Sequence, residues 1–197
     1  TKHQRIIFNG NGYSDEWVVE AERRGLPNIK SMIEAASTLT TDKAVKLFEK
    51  FGIFTKDELE SREEIIYETY AKSINIEALT MIDMAGKDII PAVAAYAGDL
   101  ANSIIAIKEA GATAAAQVEL LNDVDTLLAE AKKALNELKA VEETASKIKN
   151  EKEQAFYYKD TVKVAMDALR APVDKLETIV DSSIWPMPTY ADLMFEV

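Results

Sequence analysis

The sequence predicts a mainly α fold: an antiparallel helical bundle with a long helical hairpin, preceded by a short N-terminal strand and turn. Three observations carry this. Apolar residues recur at three- and four-residue spacing from Ser14 to Val180. Capping residues and glycines punctuate the pattern where helices should begin and end. Strand is confined mainly to the first dozen residues, where the short apolar run from Arg5 to Phe8 reads as a strand. The expected division is a strand and turn over 1–13 and a helical domain over 14–197.

In order along the chain, Asn9-Gly10-Asn11-Gly12 reads as a turn, because Asn and Gly tolerate positive φ. Ser14 is placed to cap a first helix, with Asp15 and Glu16 favourable in its first turn. Gly25 and Pro27 end it. A short helix is expected from Asn28 to Ala36, and another from Thr40 or Thr41 to Gly52, with Ala44, Leu47, Phe48 and Phe51 on one face. Thr55 and Glu58 form a capping box that opens the longest helix. Its apolar stripe runs from Leu59 to Ile104, and Pro91 should kink it or break it just before.

The clearest pattern lies between Ala112 and Asn150, where Leu121, Val124, Leu128, Ala131, Leu135 and Leu138 share one stripe. Ala155, Tyr158, Val162, Ala165 and Leu169 continue it after a polar join. Two readings stand: an antiparallel pair turning near Asn150, or one continuous rod across 112–170, since the join has no glycine or proline. Pro172 is expected at the start of a further short helix ending near Val180. The tail crowds Trp185, Met187, Tyr190 and Phe195 around Pro186 and Pro188. It should be ordered by docking, onto the chain's own helices or onto a neighbouring subunit. Leu128, Leu135, Trp185, Tyr190 and Phe195 are thus the candidate packing or interface residues.

Composition narrows function. The formal net charge of −11 opposes nucleic-acid binding, which needs Lys and Arg against phosphate, and makes an anionic lipid surface unwelcoming. No apolar stretch is expected to approach the ~20 residues of a membrane span. There is no cysteine, hence no thiolate site, and the only histidine is His3. A di-iron bundle built on paired Glu-x-x-His therefore cannot form. The carboxylates Glu60, Glu63, Glu64 and Glu68 read as a solvated helix face, and Glu77 and Asp83 as salt-bridged structural residues. A nucleotide loop at Gly10 and Gly12 lacks the third glycine of the dinucleotide fingerprint, and Asp15 and Glu16 would repel a pyrophosphate there. The start at Thr1, without an initiator Met, suggests a piece of a longer chain.

Five stretches in order, RIIFNGNGYS (5–14), EAERRGLPN (20–28), INIEALTMIDMA (74–85), LRAP (169–172) and WPMPTY (185–190), resemble the C-terminal region of type III glutamine synthetase, the long bacterial form. The resemblance spans nearly the whole chain and is weakest from about Gly111 to Glu153. It implies a cytoplasmic parent enzyme that makes glutamine from glutamate and ammonia. ATP would phosphorylate the side-chain carboxylate before ammonia displaces phosphate, with Mg or Mn assisting. It implies that ATP, metal and catalytic residues belong to an upstream catalytic domain, so no catalytic, cofactor or metal residue is assigned in this segment. It also implies homo-oligomeric double rings, with the upstream domain and neighbouring subunits as partners. The expectation is an inactive structural or oligomerisation segment. An independent helical partner-binding domain is the alternative.

Overall fold

The computed structural model describes residues 3–188 and 190–195. Helix dominates, and among the described residues there is no strand. The expected N-terminal strand is corrected: Gln4–Ile6 form a single 3₁₀ turn, and Ile7 is extended without a strand partner. A strand is stable only when its amides and carbonyls pair with a neighbour, and no described segment supplies one.

Two compact units divide after Ile66. The first holds α1 (Asp15–Arg23), α2 (Met32–Ala36), α3 (Asp42–Lys50) and the start of α4 (Lys56–Met84). The starts of α3 and α4 follow the capping signals. Thr41 caps α3 by accepting the Ala44 amide at 3.4 Å. At α4 the capping box is complete: the Thr55 hydroxyl accepts the Glu58 amide at 3.4 Å, and the Glu58 carboxylate accepts the Thr55 amide at 2.7 Å. That amide is the main reason the Glu58 pKa is lowered.

Helix α1, α3 and, in the second unit, α5 (Ile90–Glu109) end alike. Gly25, Gly52 and Gly111 take φ of +69°, +61° and +89°. The next residue's amide then reaches back to the carbonyl of Ala21, Phe48 or Ile107, the arrangement that satisfies two stranded carbonyls at once.

The second unit is an antiparallel three-helix bundle. Helix α4 continues through a π-helical turn (Ala85–Ile89) into α5, giving one unbroken helix from Lys56 to Glu109. The misfit expected at Pro91 is taken up in that π turn. Proline cannot donate to the carbonyl of Lys87 and crowds it, and the wider turn sits immediately ahead.

Helix α6 (Ala115–Ala145) returns alongside. After a break at 146–150 come α7 (Glu151–Tyr157), a second π-helical turn (Tyr158–Val162) and α8 (Lys163–Glu177). Residues 112–170 therefore form the hairpin, not the rod. Asn150 explains the reversal without glycine or proline: its side chain accepts the Glu153 amide at 2.9 Å and caps α7. Gln154 Nε2 donates to the Ala145 carbonyl at 3.0 Å, closing the end of α6.

Two apolar clusters fill this bundle. One joins Ala71, Ile74 and Ala78 of α4 with Leu135 and Leu138 of α6 and Tyr158, Val162 and Leu169. The other joins Ile89 and Val93 with Val124 and Ala131 of α6 and with Leu176, Val180 and Trp185. The expectation that Pro172 begins a helix is corrected: it lies buried inside α8. Leu169 and Leu176 are anchored on either side of it, so packing holds the turn whose hydrogen bond proline removes.

One expectation about apolar length is also corrected. The Lys56–Glu109 helix contains an 18-residue window that would meet a membrane span by length and composition. Between Ile89 and Ile107 only Asp99 is charged. Ile89 and Val93 of this stretch are packed in the second cluster.

Candidate functional site

The N-terminal segment is organised by one carboxylate. Glu20 accepts from Arg23 Nε and Nη2 at 2.6 Å each and from Arg24 Nε at 2.5 Å. Arg24 in turn donates through Nη1 to the carbonyls of Ile7, at 2.7 Å, and Arg5, at 3.2 Å. Phe8 stacks on Trp17 with centroids 4.6 Å apart, and the Arg24 guanidinium lies 5.5 Å above Trp17. The chain before α1 is thus fastened to α1 by carbonyls, a ring stack and an ion pair.

The Arg23 and Arg24 hydrogen bonds lower the Glu20 pKa to about 2. A carboxyl whose folded pKa lies below its unfolded value stabilises the fold above the unfolded value and loses that contribution as pH falls through the folded one. The fastening should therefore loosen between about pH 4.5 and 2. Trp17 fluorescence should report it, and Glu20→Gln should remove that transition while the wild type keeps it.

The turn differs from expectation. None of the residues Asn9 to Gly12 has positive φ among the described residues. The turn is closed by the Ser14 amide donating to the Asn11 carbonyl at 3.1 Å and by two side chains: Asn11 Oδ1 accepts the Tyr13 amide at 3.0 Å, and Ser14 Oγ donates to the Asn11 carbonyl at 2.8 Å. Ser14 is thereby drawn away from capping and makes no cap hydrogen bond to α1. A Cβ at Gly10 would lie 2.7 Å from the Phe8 ring, so a larger residue there would push that ring aside. An open groove beside the turn is lined by Arg5, Asn9, Gly10, Glu16, Arg23 and Arg24, among others. Its Arg23 and Arg24 are already engaged by Glu20.

The carboxylates of α4 divide. Glu60 and Glu68 pair with Lys56 at 3.3 Å and Lys72 at 2.5 Å on the surface. Glu63 departs from the expected solvated face: it is buried and accepts from the Thr40 hydroxyl at 2.6 Å. Its position one turn from the buried Leu59 places it on the inward stripe. Asp83 pairs with Lys87. Among the described residues no group of three or more His, Asp or Glu side chains is placed to hold a metal ion.

Of the candidate packing residues, Leu135 is fully buried, and Leu128 is half-buried at the margin of the second cluster. Trp185 is buried in that cluster, with Ile184 and Met187 packed around it. The backbone of Tyr190 opens the short helix α9 (Tyr190–Phe195), and its side chain lies outside the described set. Phe195 is exposed, as are Leu193 and Met194.

Sequence reasoning missed Tyr158 as a polar problem. Its ring is buried in the first cluster, and its hydroxyl has no hydrogen-bond partner. Burial pushes its pKa up, and Glu142 adds to the shift. A stranded buried hydroxyl costs about 1–3 kcal/mol. Tyr158→Phe should accordingly leave thermal stability unchanged or raise it by about 1 kcal/mol. A clear loss would mean that the hydroxyl is satisfied in solution.

A family model described as the glutamine synthetase C-terminal domain matches residues 1–108. A glutamine synthetase of Butyrivibrio fibrisolvens is 40% identical over 197 residues, covering 99% of this chain and 28% of that protein. A type-3 glutamine synthetase of Dictyostelium discoideum is 32% identical over 98% of this chain and 27% of its own length. A glutamine synthetase of Bacteroides fragilis (strain YCH46) is 32% identical over 96% of this chain and 27% of its own length. The chain thus spans just over a quarter of the length of the curated relatives it matches. With the matched residues running from the N-terminal turn to the end of α5, the chain belongs to the glutamine synthetase C-terminal domain family.

Proposed function

We propose that this chain is the helical, structural and oligomerisation segment of a type III glutamine synthetase. The parent enzyme forms glutamine from glutamate and ammonia in the cytoplasm, using ATP to make a glutamyl phosphate that ammonia then attacks. ATP and Mg or Mn bind in the upstream catalytic domain. This segment supplies no catalytic group and is inactive alone. Its partners are that domain and neighbouring subunits of a homo-oligomeric double ring.

The single observation that carries this reading is coverage. Nearly all of this chain aligns with relatives named glutamine synthetase, one of them type-3, yet it accounts for only 27–28% of their length. A helical bundle with a filled apolar seam and surface ion pairs suits a scaffold.

The test is removal of the segment from the full-length enzyme, followed by its mass in solution. Loss of the ring assembly is expected. Intact rings after removal would refute an oligomerisation role. Calorimetry with ATP and magnesium on the segment alone should show no specific binding. Micromolar binding abolished by changing Gly10 or Gly12 would refute inactivity.

A further inference from the structure

The first compact unit is poorly filled. Across residues 3–66 the buried apolar side chains are Ile33, Ala36 and Leu59. A unit of this size needs a far larger apolar interior, or a staple, to hold itself together. It has no disulfide to help, since the chain has no cysteine.

Its apolar residues exist but face outward. Helix α3 is amphipathic, and its stripe is split. Phe48 packs toward Phe54, with ring centroids 5.7 Å apart, and Arg62 covers Phe54 at 4.2 Å. Leu47 and Phe51, on the same stripe, are 52% and 64% exposed. Ile53, held next to them by its bond to the Phe48 carbonyl, is 55% exposed. On α1, Val19 is 67% exposed.

We propose that the α3 face formed by Leu47, Phe51 and Ile53 is the surface by which this segment docks onto the part of the glutamine synthetase polypeptide that precedes it. This rests on the family reading and names the contact that reading leaves open. The occupant follows from length and connectivity. The relatives run to more than three times the length of this chain, and the matched domain is their C-terminal one. The underfilled unit is the one that adjoins that remainder in sequence. A covalent neighbour is present at high effective concentration, so a modest apolar face suffices to hold it.

Hydrogen exchange of the α3 amides tests the proposal, compared between the 197-residue segment and the full-length enzyme. The expected result is at least tenfold slower exchange in the full-length enzyme, lost in full-length Phe51→Asp and Leu47→Asp. The corresponding change at Ile76, exposed on α4 of the bundle, should leave α3 exchange unaltered. Fast exchange in both proteins would overturn docking. Slow exchange in the segment at every concentration would mean that the segment covers this face itself. Slow exchange appearing only as segment concentration rises would make a second copy the occupant. Each of these outcomes refutes the proposal. Failure of the family reading is separable: a full-length protein that protects α3 but forms no glutamine would refute the activity and leave the docking surface standing.

Discussion

Leu135→Ala should lower the stability of the bundle by about 2–5 kcal/mol, the range for truncating a buried leucine. Leu135 is fully buried in the cluster that binds α4, α6 and α8 together. One of its methyl carbons lies 3.6 Å from the Cβ position of Gly86, within the π turn that absorbs Pro91. A cavity there would loosen α6 where the long helix changes pitch. Leu128→Ala should cost less, because Leu128 is only half-buried. Lys132→Ala, on the exposed face, should fall within about 0.5 kcal/mol of wild type. Urea denaturation followed by far-UV circular dichroism ranks the three. Equal effects would mean that the seam is not the core.

Trp185→Ala should cost about 3–5 kcal/mol, the range for removing a buried large aromatic. Its ring packs among Ile89, Val93, Val124, Leu176 and Val180 and so closes the end of the bundle beyond α8. Two features temper the loss. Its indole Nε1 has no hydrogen-bond partner, so the ring is held by packing alone. Asp181 fixes the approach, with its carboxylate accepting the Ser183 amide at 2.8 Å and hydroxyl at 2.7 Å. Truncation after Pro188 should leave monomer stability within about 0.5 kcal/mol, because Leu193, Met194 and Phe195 are exposed. Deletion from Ile184 onward should cost as much as the tryptophan change. If both truncations behave alike, the tail does not divide into a packed part up to Pro188 and an exposed part beyond it.

The legible parts of the fold were those governed by local chemistry. The Thr55–Glu58 box and the three glycine ends are each decided within a few residues, and the sequence displays them directly. The α6 seam was legible because Val124, Ala131, Leu135 and Leu138 repeat with the helical period.

What was missed depended on partners distant in sequence or on competition. Ile6 and Ile7 look like a strand, but strand formation needs a neighbour. Ser14 looks like a cap, but Asn11 claims its hydroxyl. Pro172 looks like a helix start, yet packing at Leu169 and Leu176 outweighs the lost bond. Glu63 looks solvated until Thr40, twenty-three residues away, is seen to bond it. The hairpin could not be chosen over the rod from periodicity, because both present the same stripe; the cap at Asn150 and the clip from Gln154 decide it.

The most direct test of the central claim is ATP-dependent glutamine formation from glutamate and ammonia, measured for the full-length protein and for the segment alone. The account predicts turnover by the full-length protein and none by the segment. A full-length protein that cannot make glutamine, or a segment that can, would contradict it.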